Sequence, residues 1–140
     1  MKRNGSAVWS GDLKTGKGTV STQTGVLREA RYGFASRFEE GPGSNPEELL
    51  GAAHAGCFSM MLSLTLGEKG LTADRIATKA TVTLDTSAGA DITAVHLDVT
   101  AKVPGADAAT FAAAAEAAKL TCPISKILKA TITMTATLEA

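Results

Sequence analysis

An α+β fold is what this 140-residue sequence predicts, and three features point to it. Strict two-residue alternation of apolar and polar side chains marks strands late in the chain. A long apolar stretch opens on the helix-start signal Asn45-Pro46-Glu47-Glu48. The elements then follow the order β-β-β-α-β-β-α-β, with strands and helices grouped and not regularly alternating. A sheet of antiparallel strands with a long central helix carrying Cys57 and a second, later helix is the expected architecture.

Taken in order, Ala7 to Trp9, Gly18 to Thr22 and Arg31 to Phe38 are short candidate strands, broken by Gly11, Gly16, Gly18 and Gly25. Asn45 is then placed to cap a helix, Pro46 suits its first position, and Glu47 and Glu48 complement the positive end of the macrodipole. That helix is expected from Pro46 to about Leu66. Ile76, Thr78, Ala80, Val82 and Leu84 share one face of a strand, as do Val95, Leu97, Val99, Ala101 and Val103. The Ser-, Gly- and Asp-containing segment Thr86 to Asp91 joins them as an antiparallel hairpin. An alanine-rich helix follows from about Ala108 to Lys119. Pro123 disfavours helical backbone at Cys122, so a short new helix, Ile124 to Lys129, starts beyond it. Ile132, Met134, Ala136 and Leu138, set against four threonines, form the last strand.

The length suits one domain spanning residues 1–140. Lys and Arg number 14 and Asp and Glu also number 14, with no basic stripe interleaved with aromatics, so nucleic acid is not an expected partner. Glu68 and Lys69 close the longest apolar stretch, which also contains Gly51 and His54, so it reads as a buried helix and no membrane partner is expected. Lys2 and Arg3 are followed by Asn4, Gly5 and Ser6 where a secretion signal would turn apolar, and the expected location is cytoplasmic. No Gly-rich phosphate loop is present. Aromatic residues are only 4% of the chain, and the first 38 residues form at best a marginal strand meander, so a homodimer is expected to supply a further packing surface.

Two cysteines, Cys57 and Cys122, in a reducing compartment point to chemistry or to burial as small hydrophobes. Cys57 falls inside the long helix with His54 one turn before it on the same face. Cys122 falls near a helix N-terminus, where backbone amides stabilise a thiolate, and on local grounds it is the better nucleophile. His96 lies on the polar face of its strand and reads as solvated. His54, Cys57, His96 and Cys122 offer only one closely spaced pair, so no metal site is expected.

The stretch Asn45-Pro46-Glu47-Glu48-Leu49-Leu50-Gly51-Ala52-Ala53-His54-Ala55-Gly56-Cys57-Phe58-Ser59-Met60 resembles the signature of the osmotically inducible protein C family. Trp9-Ser10-Gly11-Asp12-Leu13, Gly16 to Thr22, Tyr32-Gly33-Phe34, Arg37-Phe38 and Cys122-Pro123-Ile124-Ser125 extend the resemblance over nearly the whole chain, towards the osmotically inducible branch. The resemblance implies an intertwined homodimer of α+β subunits with two active sites at the interface. It implies a hydroperoxide reductase of oxidative and osmotic stress, preferring organic hydroperoxides. Cys57 matches the family's peroxidatic cysteine and Cys122 its resolving cysteine, overruling the local argument for Cys122. Arg37 matches the group that stabilises the thiolate, and Glu47 the carboxylate that orients Arg37.

In the related organic-hydroperoxide-resistance branch the arginine comes earlier, and none lies here between Arg3 and Arg28. Glu47 precedes Cys57 by ten residues, about 15 Å along an ideal helix, so Arg37 must bridge them or the helix must bend at Gly51 or Gly56. His54 is a possible assisting residue. Leu50, Phe34, Phe58, Met60 and Met61 are candidate pocket residues. No flavin or nicotinamide cofactor is expected, and an external thiol, such as a dihydrolipoyl protein, is the reductant that relatives suggest. Two competing readings are a cysteine hydrolase using Cys57, His54 and Glu47, and a non-enzymatic stress or ligand-binding protein.

Overall fold

Three short antiparallel strands organise Met1–Leu49, the first of two units into which the chain divides in the computed structural model, which describes residues 1–140. Strand β1 (Gly5–Ser10) pairs with β2 (Lys17–Thr22), and β2 with β3 (Ala30–Tyr32). The register sets Gly18 between Trp9 and Tyr32, whose ring centroids lie 5.4 Å apart. A Cβ on Gly18 would run into both rings, so only glycine lets the aromatic pair close across the strand.

The strand expected from Arg31 to Phe38 ends at Tyr32, and Phe34–Phe38 forms a short helix, α1. Ser36 explains the change. Its hydroxyl accepts the Gly33 N–H at 3.0 Å and donates to the Ser44 carbonyl at 2.8 Å, giving the backbone a turn in place of a ladder. Asn45 caps the next helix as its sequence position suggests. Its Oδ1 accepts the Glu48 N–H at 2.8 Å, while its Nδ2 donates to the Ser36 carbonyl at 3.1 Å. Helix α2 runs from Pro46 to Gly67, unbroken through Gly51 and Gly56. Beyond it Gly70, at φ 73°, turns the chain, and the Leu71 N–H closes back on the Leu66 carbonyl at 3.0 Å.

In the second unit, Leu50–Ala140, β4 (Arg75–Asp85), β5 (Asp91–Lys102) and β6 (Thr131–Leu138) form a sheet in that order. β4 and β5 make the expected hairpin, but β6 runs parallel to β5, so this sheet is mixed where an antiparallel one was expected. The connection supplies the reason. Helices α3 (Ala108–Thr121) and α4 (Pro123–Ile127) carry the chain back along β5 before β6 begins, as parallel pairing requires. Asp107 caps α3, its Oδ1 accepting the Thr110 N–H at 2.7 Å. The α+β class stands; α1 is added to the anticipated elements, and α4 is the short helix anticipated over Ile124 to Lys129, found at Pro123–Ile127.

Phe58, Leu62 and Leu66 recur every fourth residue on α2 and are fully buried with Val95, Leu97 and Ala101 of β5. Each of the larger side chains among them contributes about 1.5–3 kcal/mol by leaving water. By length and composition α2 is the one helix able to cross a membrane, yet this stripe sits inside the protein core. Helix α3 adds Phe111 and the fully buried Ala114, Ala115 and Ala118. Small residues let backbones approach: Thr65 Oγ1 donates to the Ala114 carbonyl at 2.9 Å, and a Cβ on Gly51 would stand 3.1 Å from the Ala80 carbonyl oxygen. The opposite side of α2 leaves Met60 78% and Leu64 56% exposed in the single chain.

Candidate active site

Pro123 ends the α3 ladder at the Cys122 N–H, which donates to Ala118 at 2.9 Å, and a new helix starts one residue later. At this break Cys122 has φ −55° and ψ 122°, its side chain forms no cap to its own helix, and it is fully buried in the core. There it meets Cys57 of α2, the two sulfurs lying 3.1 Å apart in hydrogen-bond contact. Both cysteines are free, and Cys57 is the partly exposed one. Closing that gap to a disulfide needs a shift of only about 1 Å.

Burial pushes the Cys57 thiol above its ordinary pKa, and the adjacent Cys122 adds to the rise, while a backbone hydrogen bond from Ile124 opposes it. The Ile124 amide therefore favours the Cys57 thiolate, where the local sequence reading gave the helix-end amides to Cys122. Exposure and amide support both fall on the same sulfur.

His54 is fully buried, and its Nε2 lies 2.7 Å from Ser125 Oγ on α4, in hydrogen-bond contact, while Nδ1 has no partner. Ser125 was not singled out from the sequence, where 71 residues separate it from His54. His96, read as solvated, has a side chain 39% exposed and also bridges to β6, with Thr133 Oγ1 at 2.6 Å and Thr135 Oγ1 at 3.2 Å. No three His, Cys, Asp or Glu side chains cluster to hold a metal ion.

In the first unit the other expected pair is joined. Arg37 donates from Nε at 3.1 Å and Nη2 at 2.9 Å to the same Glu47 oxygen, Oε1. The second carboxylate oxygen is buried without a partner, and the remaining guanidinium N–H groups are uncommitted. Arg37 Cζ lies 5.2 Å from the Phe38 ring centroid. Around it Trp9, Leu13, Tyr32, Phe34 and Phe38 line a mostly aromatic cavity of about 190 Å³. Of the expected pocket residues Phe34 lines this cavity, whereas Phe58 belongs to the core.

The model of the "OsmC-like protein" family matches residues 39–137. A protein called peroxiredoxin OsmC from Escherichia coli (strain K12) is 54% identical over 135 residues, 96% of this chain and 94% of that protein. A protein of the same name from Shigella flexneri matches to the same extent. Among solved structures, an OsmC-like protein from Mycoplasma pneumoniae aligns with a TM-score of 0.77 at 16% identity, over 100% of this chain and 99% of its own. The organic hydroperoxide resistance protein OhrB of Bacillus subtilis aligns with a TM-score of 0.65 at 20% identity, over 97% and 98%. These two share the fold.

Burial lowers the pKa of His54 below its ordinary 6.5, so the folded chain binds fewer protons there than the unfolded one. The stability this contributes is fully present above 6.5 and is lost as pH falls through the lowered value. Thermal unfolding midpoints measured between pH 7.5 and pH 5, about a unit or more to either side of a free histidine's pKa, are expected to fall on the acid side. His54→Gln should flatten that fall; an equally steep profile in the variant rejects the assignment.

Proposed function

The chain belongs to the OsmC-like protein family, and from that membership we propose that it is a thiol peroxidase reducing hydroperoxides, organic ones preferentially, through Cys57 and Cys122. The observation that carries this reading is the contact of two free sulfurs 3.1 Å apart, only one of them exposed. The 54% identity to proteins called peroxiredoxin supports it. Cys57 as thiolate attacks the distal peroxide oxygen; the O–O bond breaks, the alkoxide takes up a proton and leaves as the alcohol, and Cys57 becomes a sulfenic acid. The Cys122 sulfur then attacks Cys57, the S–O bond breaks, water leaves and the disulfide forms. An external thiol, such as a dihydrolipoyl protein, restores both cysteines.

Because burial raises the Cys57 pKa, the thiolate needs a cation. Arg37 is the group assigned to it, with uncommitted N–H donors for the thiolate and peroxide, and Glu47 fixes the guanidinium's direction. Residues 1–140 act as one OsmC-like domain in a homodimer with two active sites at the interface. The exposed Met60 and Leu64 on α2 give that dimer an apolar contact surface. Two free cysteines suit the reducing cytoplasm.

Stoichiometric cumene hydroperoxide is expected to consume two thiols in wild type, with intact mass falling by two hydrogens. Cys122→Ser should trap an oxidised Cys57, and Cys57→Ser should not react; untouched thiols in wild type would overturn the peroxidase reading. In Cys122→Ser, Arg37→Ala is expected to move the pH midpoint of Cys57 alkylation upward by about one unit or more, with Glu47→Gln intermediate. An unmoved midpoint removes Arg37 from the site. Sedimentation at micromolar concentration should give a dimer that Met60→Glu weakens, and a monomeric wild type would refute the assembly.

A further inference from the structure

Cys57 and Cys122 are not the only pair joining α2 to the segment around α4. His54 stands three residues before Cys57, and Ser125 three residues after Cys122. The His54–Ser125 bond, at 2.7 Å, therefore lies one helical turn from the sulfur contact on both elements. Cys122 is buried and Ile124 packs partly buried against the core, but no residue of α4 is fully buried, and His54–Ser125 is the side-chain hydrogen bond that ties α4 to α2. His54, by contrast, is fixed in the core.

We propose that His54 is a positioning residue for disulfide closure, holding Ser125 so that Cys122 stays against Cys57, and that it does not act on the Cys57 sulfur itself. The imidazole has its one hydrogen-bond partner in Ser125, and none in either cysteine. Sulfenic acid formation requires Cys57 alone, whereas the second step requires Cys122 in place. Loss of the bond thus loosens the closing step and spares the first. This assignment rests on the proposed two-cysteine cycle.

The test is the equilibrium of the full-length protein with oxidised and reduced glutathione. Closing the disulfide consumes one oxidised glutathione, transfers two electrons from Cys57 and Cys122, and releases two glutathione thiols. Ser125→Ala, at a half-buried site, is expected to lower the closing constant about five-fold, on the scale of one hydrogen bond. His54→Gln should lower it similarly, the double variant no further, and Ser125→Thr should restore it. In Cys122→Ser, sulfenic acid formation with cumene hydroperoxide should keep its rate when Ser125→Ala is added. A wild-type closing constant in Ser125→Ala overturns the proposal, as does a sulfenic step slowed as much as closure. Glutathione exchange uses no peroxide, so a wild type inert to cumene hydroperoxide sinks the peroxidase reading while the closing constants still decide the role of His54.

Discussion

Proline at position 123 has no amide hydrogen to continue the α3 ladder, and the consequences of that missing donor run through the second unit. The helix gives up its last bond at Cys122, the backbone leaves helical geometry for one residue, and a second helix starts in a new direction. Cys122 is thereby turned into the core against Cys57, and the Ile124 amide is free to meet the same sulfur. A continuous helix would have buried these amides in its own ladder. The crossover that this bent connection completes also lets β6 lie parallel to β5.

Much of this architecture is legible from local pattern. Alternation marks β4, β5 and β6, and the Asn45-Pro46-Glu47-Glu48 run marks the start of α2, because strand faces and helix caps are written by neighbouring residues. What escapes is set by partners distant in sequence. Helix α1 depends on Ser36 reaching the Ser44 carbonyl, and nothing in Phe34 to Phe38 signals it. The parallel course of β6 depends on the whole length of the crossover. The cysteines illustrate both cases: helix-end reasoning rightly placed amides near position 122, but it could not show that the Cys122 side chain points away from them. The Arg37–Glu47 pair was legible only through family resemblance, since ten residues and a change of element separate the two. His54 was visible as a candidate, but its pairing with Ser125 was not, because no periodicity connects two helices across 71 residues of sequence.

Small residues set the distances on which the site relies. Gly51 admits the Ala80 carbonyl, and the alanines of α3 let Thr65 bond across to a neighbouring helix backbone. Bulkier side chains at these positions would gain apolar area but separate the elements, and overpacking of this kind costs about 1–3 kcal/mol. In this chain close backbone approach takes the place of large aromatic core residues.

The complete burial of Cys122 gives the active pair a polarity. In the proposed cycle, an incoming thiolate would find only the Cys57 sulfur on the accessible side, so the mixed disulfide would form there with Cys122 as the leaving thiol. The same asymmetry confines irreversible oxidation to one sulfur. In that cycle, excess peroxide that outran closure would drive Cys57 towards sulfinic acid, while Cys122 stayed shielded as a thiol. Damage to the protein by its own substrate would therefore be recorded at a single residue.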